Sequence, residues 1–356
     1  LNAYKLFLAK AINSIVREEG YVSFIFQNSF LADKQAFTLR KTVLENTQIK
    51  MLDSFPERDS KKKRVFESVK MSVCILLLQK TKPVHSFVVN FWDDKYKSSG
   101  LTTKFLLQDI VGLDPESYTI PRIDVCNIPL AVKVKSIYPK LDLHCFEGEL
   151  NMTVHKKYFC EDVRLPMVLK GASVQRYYWT TNMSQGQVEY LRVSEFEKAF
   201  PNSEKIHHHQ YERIAMQGMT GANDKVRIVA CIIPKNIYLA NSCNYLLPLV
   251  NFEIKAQLAL LNSKLMNWYF KCFSTNSNVN GYEVDGLPFL KLEKVQQDKL
   301  ASLVNDLMNK NINKDTSALE NQIDFLVYHL YGLTYDEVLI VDPETPISRE
   351  EYEAYK

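Results

Sequence analysis

The sequence predicts an α/β region that contains part of a doubly wound sheet, followed by an α+β region that ends in helices. Three observations support this fold class. Residues 20–44 have the pattern of a buried strand, a loop and an amphipathic helix. Short β-like runs separated by Gly, Pro and Asn begin at about residue 95, and helical periodicity returns at residue 253.

The N-terminal elements follow one another closely. Helical spacing precedes Gly20, which suits a helix end, and residues 21–26 are nearly all apolar, as in a strand covered on both faces. Leu39 and Val43 form the inner face of the next helix. The remaining elements expected here are a helix over 33–45, strands over 49–55 and 84–94, a polar loop over 56–64, and a strand pair or one bulged strand over 65–80.

The C-terminal third is predicted to be helical. Ile323 and Val327 lie on one face of the last long helix, which Gly332 ends. "TYDE" at 334–337 is a capping-box pattern that opens a further helical turn. The long helices are predicted over 253–272, 295–309 and 318–331.

Composition is that of an ordinary globular protein. The chain has 356 residues, 46% hydrophobic and 24% charged, which is enough for two domains with substantial cores. No apolar run reaches the ~20 residues of a membrane span. The seven cysteines show no Cys-x-x-Cys pairing, so a reduced, cytoplasmic protein without membrane association is expected.

The net charge of +3 is unevenly distributed. Lys and Arg exceed Asp and Glu in residues 1–82, whereas acidic residues predominate in 315–356. A basic body with an acidic C-terminal segment is compatible with a polyanionic partner.

Several stretches together resemble one enzyme family. "YKLFLAKAI…REEGYVSFIFQNSFLADKQAFTLRKTVLEN" is similar to the later motifs of adenine-specific type II DNA methyltransferases, including the type IIG restriction–modification enzymes that carry a fused nuclease. "LKGASVQRYYW", "LALLNSKLMNWYFKCFSTNSNVNGYEVDGLPF" and "IDFLVYHLYGLTYDEV" resemble segments of the target-recognition domain, in the order typical of the family. The resemblance covers nearly the whole chain.

The resemblance implies a domain plan and a reaction. Residues 1–90 would be the C-terminal part of a Rossmann-like methyltransferase domain, 91–114 a connector, 115–312 the DNA target-recognition domain, and 313–356 a C-terminal helical segment. The complete enzyme would transfer a methyl group from S-adenosylmethionine to an adenine amino group. We find neither a Phe-x-Gly-x-Gly-type loop nor an Asn-Pro-Pro-Tyr motif, which the family places upstream of these stretches.

The missing motifs determine the expected cofactors and partners. No catalytic or cofactor-binding residue is assigned in this chain, and binding of S-adenosylmethionine is expected only in the complete enzyme. The expected partners are double-stranded DNA and the missing N-terminal methyltransferase portion or a complementing chain. Magnesium would be needed only with an attached nuclease.

An enzyme that modifies an adenine in duplex DNA turns the base out of the helix and stacks it on an aromatic side chain. The family places such a ring near the late strand pair, which selects Phe66, with Phe55 as the alternate candidate. The alternative interpretation of Phe66 is a core residue. The basic run immediately before it, Lys61, Lys62, Lys63 and Arg64, is a candidate for phosphate contact or, alternatively, a solvated loop.

Three loops carry side chains that suit base edges or the DNA backbone. Gln and Asn match adenine, Arg and Lys match guanine, and glycines allow close backbone approach. The alternative is ordinary polar turns. The candidates are Gln217, Thr220, Asn223, Lys225 and Arg227 in one loop, Lys170, Gln175 and Arg176 in a second, and Asn276, Asn278 and Asn280 in a third.

Two further functions are weaker alternatives. Glu253 and Lys255 form the Glu-x-Lys part of a nuclease signature but lie in a predicted helix. Residues His207, His208 and His209 are consecutive and point in different directions, so no metal site is assigned. A non-catalytic DNA specificity or assembly subunit is the principal rival to the methyltransferase interpretation.

Overall fold

The structure is a computed structural model that describes residues 2–57, 64–92, 99–182, 187–221, 225–274, 277–310 and 315–355. The chain divides into two compact units. The first contains Leu1–Ser136 with Lys271–Ser277, and the second contains Ile137–Phe270 with Asn278–Lys356.

The first unit contains five strands and four helices within the part that the structure describes. The strands are β1 (Tyr21–Gln27), β2 (Gln48–Phe55), β3 (Val73–Gln79), β4 (Ser86–Trp92) and β5 (Ser99–Leu106). The helices are α1 (Ala3–Lys10), which continues as a π-helical turn over Ala11–Ile15, α2 (Phe37–Asn46), α3 (Leu107–Leu113) and α4 (Ile128–Lys135).

These strands form one mixed sheet in the order β1-β3-β2-β4-β5. Strand β3 is antiparallel to both β1 and β2, and therefore β1 and β2 run in the same direction with α2 between them in sequence. Strand β4 is parallel to β2, and β5 is antiparallel to β4. The predicted mixture of helices and strands is confirmed, while the doubly wound arrangement stays a prediction.

A buried arginine stabilises the core of this unit. Arg40 in α2 is fully buried, and its guanidinium donates to the carbonyls of Phe30 (2.6 Å), Tyr118 (2.9 Å) and Ser117. Because these carbonyls come from two distant segments, Arg40 joins α2 to the chain that follows α3.

The second unit contains two four-stranded sheets and most of the helices. Its strands are β6 (Cys145–Glu147), β7 (Phe159–Cys160), β8 (Met167–Leu169), β9 (Glu189–Leu191), β10 (Arg213–Gln217), β11 (Ala230–Ile233), β12 (Tyr238–Leu239) and β13 (Cys243–Leu246). The helices are α5 (Val193–Ala199), α6 (Ile254–Asn262), α7 (Lys264–Phe273, which ends in the first unit), α8 (Gly281–Asp285), α9 (Lys294–Asn309), α10 (Ser317–Leu330), α11 (Tyr335–Val341) and α12 (Arg349–Ala354).

The two sheets of this unit have the strand orders β11-β10-β13-β6 and β12-β8-β9-β7. A fully buried ion pair connects them. Arg213 on β10 pairs with Glu149 and donates to the Ile237 carbonyl at 2.7 Å, while Glu149 accepts the Leu239 N–H at 2.9 Å. The charges are therefore compensated where β10 of one sheet approaches the edge strand β12 of the other.

Most elements lie where the sequence predicts them, with four differences. Helices α3, α4 and α5 lie in the region after residue 95 for which only short β-like runs were predicted. Strand β1 is not covered on both faces, because Tyr21 and Ile25 are exposed. The helix expected over 253–272 is two helices, because Ser263 is extended and its Oγ accepts the Met266 N–H at 3.2 Å as a cap. The run over 65–80 is a turn around a Phe66–Val69 bridge followed by the single strand β3. None of the helices in the described ranges is long and apolar enough to cross a membrane.

Candidate nucleic-acid interface

The three loops that the sequence selects for DNA contact meet around Ser242 and Gly218 in the second unit. Gly171 donates its backbone N–H to Ser242 Oγ at 2.9 Å, and Gly218 donates its backbone N–H to the Ser242 carbonyl at 2.8 Å. The third loop joins through Val279, whose N–H donates to the Gly218 carbonyl at 3.0 Å. We call residues 170–177, 217–221, 225–227 and 278–280 the three-loop cluster.

The glycines of the cluster serve close approach within the chain itself. A Cβ atom at Gly171 would lie 2.6 Å from the Ser242 carbonyl oxygen, and one at Gly218 would lie 2.9 Å from the same atom. Both distances are too short for a real contact, so either substitution displaces backbone. The sequence suggested that glycine at position 218 lets the backbone approach a partner, and the structure shows that the neighbour is Ser242.

Arg227 is buried inside the cluster. Its side chain is 2% exposed, and the guanidinium donates to Thr220 Oγ1 at 2.9 Å and to the Asn278 carbonyl at 3.2 Å. The same group lies 5.4 Å from the centre of the Phe270 ring. Thr220 is itself buried and its hydroxyl donates to the Arg227 carbonyl. In this conformation the guanidinium joins two loops and is not presented to a base edge.

The two basic side chains of the 170–177 loop are also engaged within the chain. Lys170 forms an ion pair with Glu189 at 2.8 Å. Arg176 pairs with Glu320 at 2.6 Å and donates to the Asn262 carbonyl at 2.7 Å, which connects the loop to two helices. A DNA contact by either residue would require these ion pairs to open or to be shared.

The side-chain amides of the cluster form hydrogen bonds within the cluster itself. Gln217 donates to the Val174 carbonyl at 2.8 Å, and Gln175 donates to the Ala172 carbonyl at 3.1 Å. Asn280 is the N-cap of α8 in a capping box. These contacts stabilise the loops, and the assignment of the three residues to DNA binding stays a prediction.

The outer face of the cluster is formed by different side chains. Met219, Lys225, Ser242 and Asn278 are exposed. Lys225 lies 3.8 Å from Glu344, and both of these side chains are almost fully exposed, so their attraction is weak. Lys225 and Asn278 are among the DNA-contact candidates predicted from the sequence. Met219 and Ser242 are not, because neither residue belongs to a motif that indicates DNA contact.

The first unit contains the aromatic candidates. Phe66 lies in the turn before β3 and is 45% exposed, which rules out a core position. Phe55 ends β2 and stacks on Trp92 at the end of β4, with ring centres 5.7 Å apart and planes 9° from parallel. Since β2 and β4 are parallel, both rings lie at the carboxyl edge of the sheet, where α/β proteins bind ligands.

Several predicted contact residues lie outside the described ranges. They are Lys61, Lys62, Lys63, Asn223 and Asn276. Arg64, the last residue of the basic run, donates to the Glu67 carbonyl at 3.3 Å within the turn that holds Phe66.

The nuclease and metal candidates are occupied by structural contacts. Glu253 lies at the N-cap position of α6, where its backbone N–H donates to Gln297 Oε1 at 2.7 Å, and Lys255 donates to Asn305 at 2.8 Å. His208 is hydrogen-bonded to the Tyr245 hydroxyl at 2.8 Å, and His209 stacks on Tyr238. Among the residues that the structure describes, no group of three His, Cys, Asp or Glu side chains is placed to hold a metal ion.

A buried carboxyl group lies near the helices that Arg176 contacts. Asp324 accepts the Lys264 N–H at 2.8 Å and so caps α7. Burial raises the pKa of Asp324 to about 7, although the neighbouring positive charges of Lys264 and Arg176 lower it. Lys264 itself pairs more closely with Asp342, at 2.7 Å. The folded second unit therefore retains a proton on Asp324 at pH values where an exposed aspartate is ionised.

Two segments of the chain match known protein families. Residues 166–288 match the TaqI-like C-terminal specificity domain, and residues 1–61 match the Eco57I restriction-modification methylase. The three-loop cluster lies entirely within the first of these segments. The recognition from sequence is confirmed by these two matches: one segment is similar to a restriction–modification methylase and the other to a specificity domain.

One solved structure of a restriction–modification enzyme has a similar fold. The type IIL restriction-modification enzyme MmeI, solved in complex with DNA, aligns with 100% of this chain at 11% identity and a TM-score of 0.59, over 53% of its own length. The type IIG restriction endonuclease BpuSI aligns with 97% of this chain at 10% identity and a TM-score of 0.38, over 50% of its own length. The chain thus spans about half the length of these enzymes. None of the curated proteins matches it.

Proposed function

We propose that this chain is the DNA-binding and target-recognition part of a site-specific adenine DNA methyltransferase of a restriction–modification system. The second unit binds double-stranded DNA and selects the site. The first unit completes the methyltransferase sheet and assists extrusion of the target adenine.

The observation that carries the proposal is the convergence of two of the loops on Ser242 and of the third on Gly218. The loops are distant in sequence, are joined by hydrogen bonds of 2.8–3.0 Å that their backbone N–H groups donate, and lie in the segment that matches a specificity domain. Sequence-specific readout requires side chains held in a fixed geometry, because contacts to base edges carry the specificity. A cluster of joined loops with Lys225 and Asn278 on its outer face meets that requirement.

The first unit presents an unpaired sheet edge to a further chain segment. In the described ranges β1 pairs with β3 on one side, and no strand pairs with its other edge. Several large apolar side chains in and around α1 and β1 are exposed: Leu6, Phe7, Ile15, Tyr21 and Ile25. An uncovered strand edge flanked by apolar side chains favours strand addition. We assign it to the methyltransferase portion absent from this chain, or to a complementing chain.

The methyl donor would be held by that missing portion. S-adenosylmethionine, when bound, supplies the methyl group. The residues of this chain do not fit its site, because no two of the 11 glycines form a Gly-x-Gly loop. We therefore assign only base stacking to the first unit, by Phe66 or by Phe55, and phosphate contact to the basic run ending at Arg64.

Selection from a random duplex pool tests the proposal. The chain should enrich one short sequence that contains an adenine, and should not bind S-adenosylmethionine at micromolar concentration in calorimetry. Addition of the missing portion should then restore methylation of the adenine within the enriched site. A pool that stays random would refute the target-recognition role. Sequence-specific binding by a chain whose upstream reading frame lacks the methyltransferase motifs would favour a non-catalytic specificity subunit.

A further inference from the structure

Met219 is an apolar side chain that the three-loop cluster presents to solvent. It is 65% exposed, although both of its neighbours are engaged: Gly218 bonds to Ser242 and Thr220 is buried against Arg227. The exposure of Met219 therefore does not reflect a loose loop. The chain turns this one side chain outward between two fixed positions.

The backbone that carries Met219 is fixed on both sides. Met219 forms a β-bridge with Asn278, and the Gly218 carbonyl accepts the Val279 N–H at 3.0 Å. Below the bridge, the buried guanidinium of Arg227 donates to Thr220 and to the Asn278 carbonyl. Because the segment is already ordered, DNA binding costs little further conformational entropy here. This favours a side chain that has to separate stacked bases.

The surroundings of Met219 are polar. Asn278 and Ser242 are exposed beside it, and Lys225 extends into solvent from the same loop. An exposed apolar side chain beside amide and hydroxyl groups is the arrangement of DNA-binding proteins that insert a side chain between base pairs. In these proteins the polar groups contact the backbone or base edges, and the apolar side chain unstacks one step.

We infer that Met219 is a wedge that inserts at one base step of the bound DNA and so contributes to site selection. This inference rests on the proposed target-recognition function. The wedge favours flexible pyrimidine–purine steps, such as TA and CA, because these unstack at the lowest energetic cost. Met219 is thereby a specificity-determining residue that acts through DNA deformability and not through a hydrogen bond.

The test uses the duplex that the unchanged chain enriches from a random pool. Met219→Ala removes the wedge, Met219→Gln keeps its length but makes it polar, and Met219→Leu keeps its apolar character. Met308→Ala, at a 38% exposed methionine on α9, is the matched control. Affinity is measured for the enriched duplex and for random duplexes, and 2-aminopurine placed at successive steps reports local unstacking by its fluorescence.

Met219→Ala and Met219→Gln should each lower affinity for the enriched duplex about tenfold, as for one lost base contact, and should remove the 2-aminopurine signal. Met219→Leu and Met308→Ala should behave as the unchanged chain, and all variants should melt at the same temperature. If every variant binds and unstacks as the unchanged chain does, or if affinity for random duplexes falls equally, the wedge assignment is wrong while target recognition stands. If the unchanged chain enriches no sequence, the proposed function itself fails.

Discussion

The substitution Arg227→Ala tests whether Arg227 fixes the loops of the three-loop cluster or contacts a DNA base. Its guanidinium makes two hydrogen bonds inside the three-loop cluster and lies over the Phe270 ring. Hydrogen bonds of a charged group contribute about 1.5–3 kcal/mol each, and the ring contact about 1 kcal/mol. We therefore expect Arg227→Ala to lower the free energy of unfolding by about 4 kcal/mol, a value found only for buried, well-bonded positions.

The same substitution should abolish discrimination between DNA sequences, because Thr220 and Asn278 lose the group that joins their loops. Arg227→Lys should not rescue it, since an ammonium group lacks the planar fork that spans two acceptors. Lys225→Ala is the control. It removes an exposed positive charge from the same loop and should leave stability within about 0.5 kcal/mol.

Urea denaturation and competition binding to enriched and random duplexes measure both effects. Arg227 does not fix the loops if Arg227→Ala leaves the free energy of unfolding within about 0.5 kcal/mol of the unchanged chain and weakens binding only to the enriched duplex. That result would mean that the loop opens on DNA and that Arg227 contacts a guanine, worth about 1–3 kcal/mol of discrimination.

Three further predictions concern other parts of the chain. Because the pKa of Asp324 is raised to about 7, the folded state keeps a proton that the unfolded state releases from about pH 4 upward, so stability falls as the pH rises to 7. Asp324→Asn should remove this loss. The change in unfolding free energy caused by the substitution should be more favourable at pH 8 than at pH 4 by up to about 4 kcal/mol. Urea denaturation at both pH values measures this difference, and an equal change at the two pH values would contradict the prediction. In the complete enzyme, Phe66→Ala should slow methylation and reduce extrusion of 2-aminopurine without lowering the melting temperature. If Phe55→Ala has these effects and Phe66→Ala does not, the stacking ring is Phe55. Replacing residues 61–63 by alanine should weaken binding to all duplexes equally and flatten the salt dependence by nearly one unit of slope per lost phosphate contact, whereas sequence-dependent weakening would argue for base contacts.

The amino-acid sequence by itself determined the elements whose signals are local. The apolar run at 21–26 is β1, the periodic segment at 318–331 is α10, and the capping box is present, with the Glu337 N–H bonded to Thr334 Oγ1 at 3.3 Å. Periodicity and caps depend on residues within a few positions of one another, so they can be identified without the fold. The relation to restriction–modification methylases was visible for the same reason, since each motif is a continuous stretch.

Tertiary structure alone decided which side chains of those stretches are available to DNA. Arg227 and Gly218 were selected for their chemistry, yet each is used inside the chain, by residues 51 and 24 positions away in sequence. Met219, which has no chemistry that a motif would mark, is among the side chains left exposed, with Lys225 and Asn278. An arginine or glycine has the same identity whether its partner is a base or a carbonyl of its own chain. Burial and long-range hydrogen bonds distinguish the two uses, and these exist only once distant segments have packed together.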